Sequence, residues 1–107
     1  MRLREEAAVR DRAARVRADE LRTRLGAAAS LLVAAGARRT WLFGSLAEGA
    51  PRIESDVDLA VEGVPRDRYF ELLAALMELF GTRVDLVRME DAPASLIERI
   101  RATGRAL

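Results

Sequence analysis

Residues 56–61 read Asp-Val-Asp-Leu-Ala-Val, and this alternation fits a strand with one face buried. Val57, Leu59 and Val61 fall on one side; Asp56, Asp58 and Ala60 fall on the other. Two carboxylates spaced by one residue on a strand therefore project from the same face. Two unit charges about 4 Å apart at an effective dielectric of about 20 repel by on the order of 4 kcal/mol. Such a pair calls for solvent, a shared proton or a cation. Residues 83–87 repeat the pattern, with Val84 and Leu86 facing one way and Asp85 the other. Pairing the two strands would bring a third carboxylate beside the first two.

The remaining composition narrows the chemistry. The chain has 107 residues, half of them hydrophobic, which is the size of one small domain with a single core. It contains no His and no Cys. Imidazole bases, thiol nucleophiles, zinc sites and disulfides are thereby excluded, and Asp and Glu are left as the side chains for metal or base chemistry. Three carboxylates without a soft ligand suit Mg²⁺ or Mn²⁺. No apolar run approaches the roughly 20 residues that span a bilayer, and the charged, Ala-rich start does not resemble a signal peptide. A cytoplasmic protein with no membrane contact is expected.

The net charge of +1 conceals an asymmetry. Residues 1–39 carry ten Arg and five acids, and residues 40–107 carry eight Arg and twelve acids. A basic leading segment is one mark of nucleic-acid binding. Here Glu6 precedes Arg10, Asp11 precedes Arg15 and Glu20 precedes Arg24, each by four residues, the order that supports a solvated helix. The segment reads as a salt-bridged helix, and a nucleic-acid partner is not expected.

The chain predicts a helix over residues 4–35, divided at Gly26 if at all and closed by Gly36. A strand over 40–43 runs into Gly44-Ser45 and a short helix over 46–49. The strand over 56–61 follows. A helix over 65–80 then places Tyr69, Leu73, Leu76 and Phe80 on one face, and after the strand over 83–87 a last helix starts near Asp91 and Pro93 and carries Leu96, Ile97 and Ile100. This is a small α/β or α+β domain, with helices packed on one face of the sheet and acids on the other. Residues 1–19 are expected as an Arg-rich helical extension and residues 20–107 as the domain itself.

Gly44 and Ser45 lie between a strand and a helix start, where backbone amides bind phosphate oxygens. Glycine admits close approach of the anion, and the Ser hydroxyl adds a donor. A Gly-Ser pair alone is usually a turn, and an Asp-x-Asp alone is usually a solvated strand end. The four residues at fixed spacing arise by chance in on the order of one chain in a thousand of this length.

Gly44-Ser45, ten residues, then Asp56-Val57-Asp58 resembles the signature of the DNA polymerase β superfamily, and Val84-Asp85-Leu86-Val87 resembles the strand that supplies its third carboxylate. The likeness covers about residues 20–107, and the short chain is most similar to the minimal nucleotidyltransferases, including antitoxins encoded beside HEPN-domain ribonuclease toxins. The resemblance implies a polymerase β-like nucleotidyltransferase fold. It also implies that Asp56, Asp58 and Asp85 are catalytic and hold two Mg²⁺ ions, with Mn²⁺ as the substitute, and that Gly44 and Ser45 bind the triphosphate of ATP. Relatives often carry Arg where this chain has Glu48; Arg52 is the cation that the same loop offers to the nucleotide. The implied activity is transfer of AMP to a protein hydroxyl, the Tyr of a HEPN toxin held as a hetero-oligomer, in a type VII toxin-antitoxin system. The alternatives are an antitoxin that neutralises its partner by binding alone, and a transferase acting on a small molecule or nucleic acid.

Overall fold

The computed structural model describes residues 2–49 and 57–107, and the side chains from residue 5 onward within them. Asp56 and Arg52, two of the expected site residues, lie outside the described residues.

Helix α1 spans Arg2–Arg22 and α2 spans Leu25–Ala34. The break falls at Thr23 and Arg24 and not at Gly26, which sits inside α2. The cause is local: the Thr23 hydroxyl donates to the Glu20 carbonyl at 2.6 Å, offering the backbone an alternative to the helical ladder. Ala14, Ala18 and Leu21 are buried, so the core reaches back into the leading helix. The expected ion pairs at four-residue spacing give way to Arg17–Glu20 at 3.6 Å and Arg22–Asp19 at 3.3 Å. Arg24 instead donates to the Phe80 carbonyl at 3.1 Å, and Arg17 reaches the Phe80 and Gly81 carbonyls at 3.4 Å. Both thereby cap the carbonyl end of a later helix, where a cation is favoured.

Strand β1 (Arg39–Phe43) leads directly into the one-turn helix α3 (Gly44–Glu48). Strand β2 spans Val57–Glu62, helix α4 spans Tyr69–Phe80, and β3 spans Val84–Arg88. A short turn at Met89–Asp91 leads to α5 (Ala94–Thr103). Two residues, Arg105–Ala106, then form β4, which nothing in their exposed side chains announces. The sheet order is β3-β2-β1-β4, with β2 and β3 parallel and the other pairs antiparallel.

The alternation read from the sequence assigns the two faces. Leu42, Val57, Leu59, Val61, Val84 and Leu86 join Leu32, Leu76 and Phe80 in the main core beneath α2 and α4. On the opposite face, Trp41, Phe43, Ala60 and Val87 pack with Leu96, Ile97 and Ile100 of α5. Helices are thus not confined to one face. The small side chain of Ala60 lets α5 sit close. No helix of the described residues is long and apolar enough to cross a membrane.

Candidate active site

The site lies where β1 ends and β2 and β3 begin. Antiparallel pairing sets Phe43 opposite Asp58, and parallel pairing sets Asp58 opposite Asp85. One row across the sheet therefore reads Phe43, Asp58, Asp85, on strands spaced by about 4.8 Å. Asp58 is half-buried and Asp85 is exposed. Like charges directly opposed on a sheet are destabilising, so this row carries a cost that a bound cation would relieve.

Gly44 follows Phe43 and touches Asp58. Its φ is +72°, and a Cβ built on it would lie 2.2 Å from Asp58 Oδ2 and 2.9 Å from Asp58 Cγ. A side chain at that position would require the Asp58 carboxylate to move, so the backbone of the turn lies against it. The N-cap of α3, Phe43, gives no side-chain cap to the helix. The first N–H groups of any helix find no acceptor within it, and in this fold that end of α3 opens beside Asp58. The far end is tied down: Arg22 Nη2 donates to the Leu46 carbonyl at 3.2 Å, and Leu46 and Ala47 are buried in the main core.

The structure thus brings Gly44, Ser45, Asp58 and Asp85 to one edge of the sheet. Among the described residues no group of three or more metal-ligating side chains forms, and Asp56 lies outside them. The two described carboxylates are hard oxygen donors in a chain without His or Cys, the donor set that Mg²⁺ takes.

Sequence reasoning read Tyr69 only as part of a helix face and missed its place beside the site. Its hydroxyl donates to the Leu86 carbonyl at 2.6 Å, one residue beyond Asp85. Burial pushes the Tyr69 phenol above its ordinary pKa, and the charge of Asp85 pushes it the same way. Arg22 was missed as well. A lone Arg among ten in the leading segment gives no local sign that it will reach the Leu46 carbonyl, 24 residues away.

Comparison with known proteins identifies the fold. The family described as polymerase beta, nucleotidyltransferase matches residues 35–107. A solved minimal nucleotidyltransferase superposes with a TM-score of 0.75 at 34% identity, covering 84% of this chain and 95% of that one. A toxin–antitoxin complex solved with AMP-PNP gives a TM-score of 0.66 at 27% identity, covering 72% of this chain and 66% of that one. This chain therefore spans just under two thirds of that relative's length. An MNT antitoxin complex with a tri-AMPylated Shewanella oneidensis HEPN toxin gives 0.65 at 22% identity, covering 80% of this chain and 70% of that one, a likeness of fold alone. A comparison with curated proteins finds no match. The family match spans the strands that carry Asp58 and Asp85 and the turn that carries Gly44 and Ser45, and the chain belongs to the polymerase β nucleotidyltransferase family.

Proposed function

We propose that this chain transfers AMP from ATP to a protein hydroxyl, the Tyr of a HEPN toxin partner, and so acts as its antitoxin. The observation that carries the reading is the row in which Asp58 stands opposite Asp85 while the Gly44 backbone abuts Asp58. Phosphate donors and acidic groups then lie side by side, as a nucleoside triphosphate site requires. The likeness to a toxin–antitoxin complex holding AMP-PNP supports both the nucleotide and a toxin partner.

Each residue has a role in this scheme. The backbone amides at Gly44 and Ser45, with the Ser45 hydroxyl, hold the triphosphate and stabilise charge on the departing pyrophosphate. Asp56 and Asp58, with Asp85, would hold Mg²⁺, which when bound supplies charge neutralisation and acidifies the attacking hydroxyl. Asp85, at the outer end of the row, orients that hydroxyl and accepts its proton. The hydroxyl oxygen bonds to the α-phosphorus, the bond from that phosphorus to the bridging oxygen breaks, and pyrophosphate leaves. Arg52 is assigned to the nucleotide phosphates.

The test is intact-mass spectrometry of the HEPN partner after incubation with this chain, ATP and Mg²⁺. The partner should gain the mass of AMP with the wild type and not with Asp58→Asn. A partner that stays unmodified yet is neutralised equally by both proteins supports the binding-only antitoxin instead.

A further inference from the structure

Beyond Asp85, on the side of the sheet away from Gly44, lies a groove of about 440 Å³. Tyr69 and Phe70 from the start of α4, Leu86 and Val87 from β3, and Pro93 and Leu96 from the start of α5 form its walls. Asp91 fastens the rim by pairing with both Arg66, at 2.8 Å, and Arg88. Phe70 is 76% exposed at its mouth, although the chain has only five aromatic residues. An exposed aromatic beside a formed apolar groove is the composition of an interface anchor.

We infer that this groove is the docking site for the acceptor protein, seating an extended segment next to the hydroxyl that receives AMP. The inference rests on the proposed transfer to a protein hydroxyl and names the surface that delivers it. Its basis is the order of groups across the sheet. Gly44 touches Asp58, Asp58 stands opposite Asp85, and β3 is the end strand of the sheet. A nucleotide whose phosphates sit at Gly44 and Ser45 fills the β1 side, so the acceptor hydroxyl must reach Asp85 from the β3 side. The groove is continuous with that side: Val87, which lines it, lies two residues beyond Asp85 on the same face of β3. An end strand also presents backbone groups to which an extended segment can pair. A preformed groove of this kind lowers the ordering cost of binding.

The test replaces Phe70 with Ser, a change on an exposed side chain, and uses Val33→Ser on α2, 66% exposed and outside the groove, as the control. Affinity for the HEPN partner is measured by calorimetry in an Asp58→Asn background without ATP, so that binding is read independently of transfer. F70S is expected to weaken binding about tenfold or more. With Asp58 intact, it should raise KM for the partner and leave KM for ATP unchanged, while V33S alters neither. If F70S binds and is served as the wild type is, the docking assignment is overturned even though transfer stands. If the wild type never modifies the partner but F70S still abolishes binding, the transfer reading fails and the docking site holds. A wild type that does not bind the partner overturns the docking site.

Discussion

The Asp58 carboxylate occupies the space that any side chain on Gly44 would need, with Oδ2 2.2 Å from the position of a Cβ. This contact couples the turn at Gly44 to the acidic row. It also separates Gly44 from Gly49, the C-cap of α3, which has nearly the same φ, +73°, but where a Cβ would meet nothing within 4 Å among the described residues.

Gly49→Ala should therefore cost only the strain of a left-handed residue, about 1–3 kcal/mol. Gly44→Ala should cost more, because Asp58 must also move. Its transfer activity should fall on the order of a hundredfold, the usual consequence of displacing a reacting group by about 1 Å. Denaturant unfolding and initial rates on the two variants check this. Equal stability and equal rates for both would show that the contact has no consequence.

Tyr69 is the only tyrosine, so its ionisation can be followed by ultraviolet absorbance without interference. Its pKa is raised first by burial and second by Asp85. Asp85→Asn should bring the titration midpoint down part of the way towards the ordinary value near 10. In Tyr69→Phe the phenolic transition should vanish. A folded-state pKa above the unfolded one means that the stability tied to the protonated phenol is present below about pH 10 and lost as pH rises through the folded value. An unchanged midpoint in D85N would place Asp85 away from Tyr69.

The acids after β3 set the response to low pH. Asp91 is held below the ordinary carboxylate range by hydrogen bonds from Arg66 and Arg88. For Glu90, burial acts to raise the pKa, but its own amide, the Gly63 amide at 2.8 Å and the charges of Arg88 and Arg38 outweigh it and leave it lowered. Their contribution is present above the unfolded pKa near 4 and is lost as pH falls through the lower folded values. Asp91→Asn should therefore melt below the wild type at about pH 7, and the gap should narrow at about pH 3. A gap that is constant across that range would deny the linkage.

How much of this was legible in the chain depends on how local each signal is. The alternation of Val57, Leu59 and Val61 and of Val84 and Leu86 was enough to assign both strands and to turn Asp58 and Asp85 to one face. Gly44 was readable as a turn, but not its contact with Asp58, because the antiparallel register that sets Phe43 opposite Asp58 is a long-range property. The apolar stripe of α5 was visible too. Which face of the sheet it covers was not, since Ile97 and Ile100 would suit either side, and Ala60 gives no hint that a helix lies over it. Arg24 reads as the partner of Glu20 by spacing alone. Tertiary packing offered it the Phe80 carbonyl instead, a partner that no helical rule contains. The end strand β4 rests on two exposed residues with no pattern to read.

The central claim is that Asp58 and Asp85, with Asp56, form a cradle for divalent ions. The most direct measurement is the unfolding free energy of the wild type and Asp85→Asn, each with and without Mn²⁺. Without the ion, D85N should be the more stable by about 0.2–1 kcal/mol, since one of two opposed charges is gone. At ten times the dissociation constant, Mn²⁺ should stabilise the wild type by about 1.4 kcal/mol and leave D85N nearly unchanged, so that the order reverses. Equal responses of the two proteins to Mn²⁺, or no response in the wild type, would contradict the account.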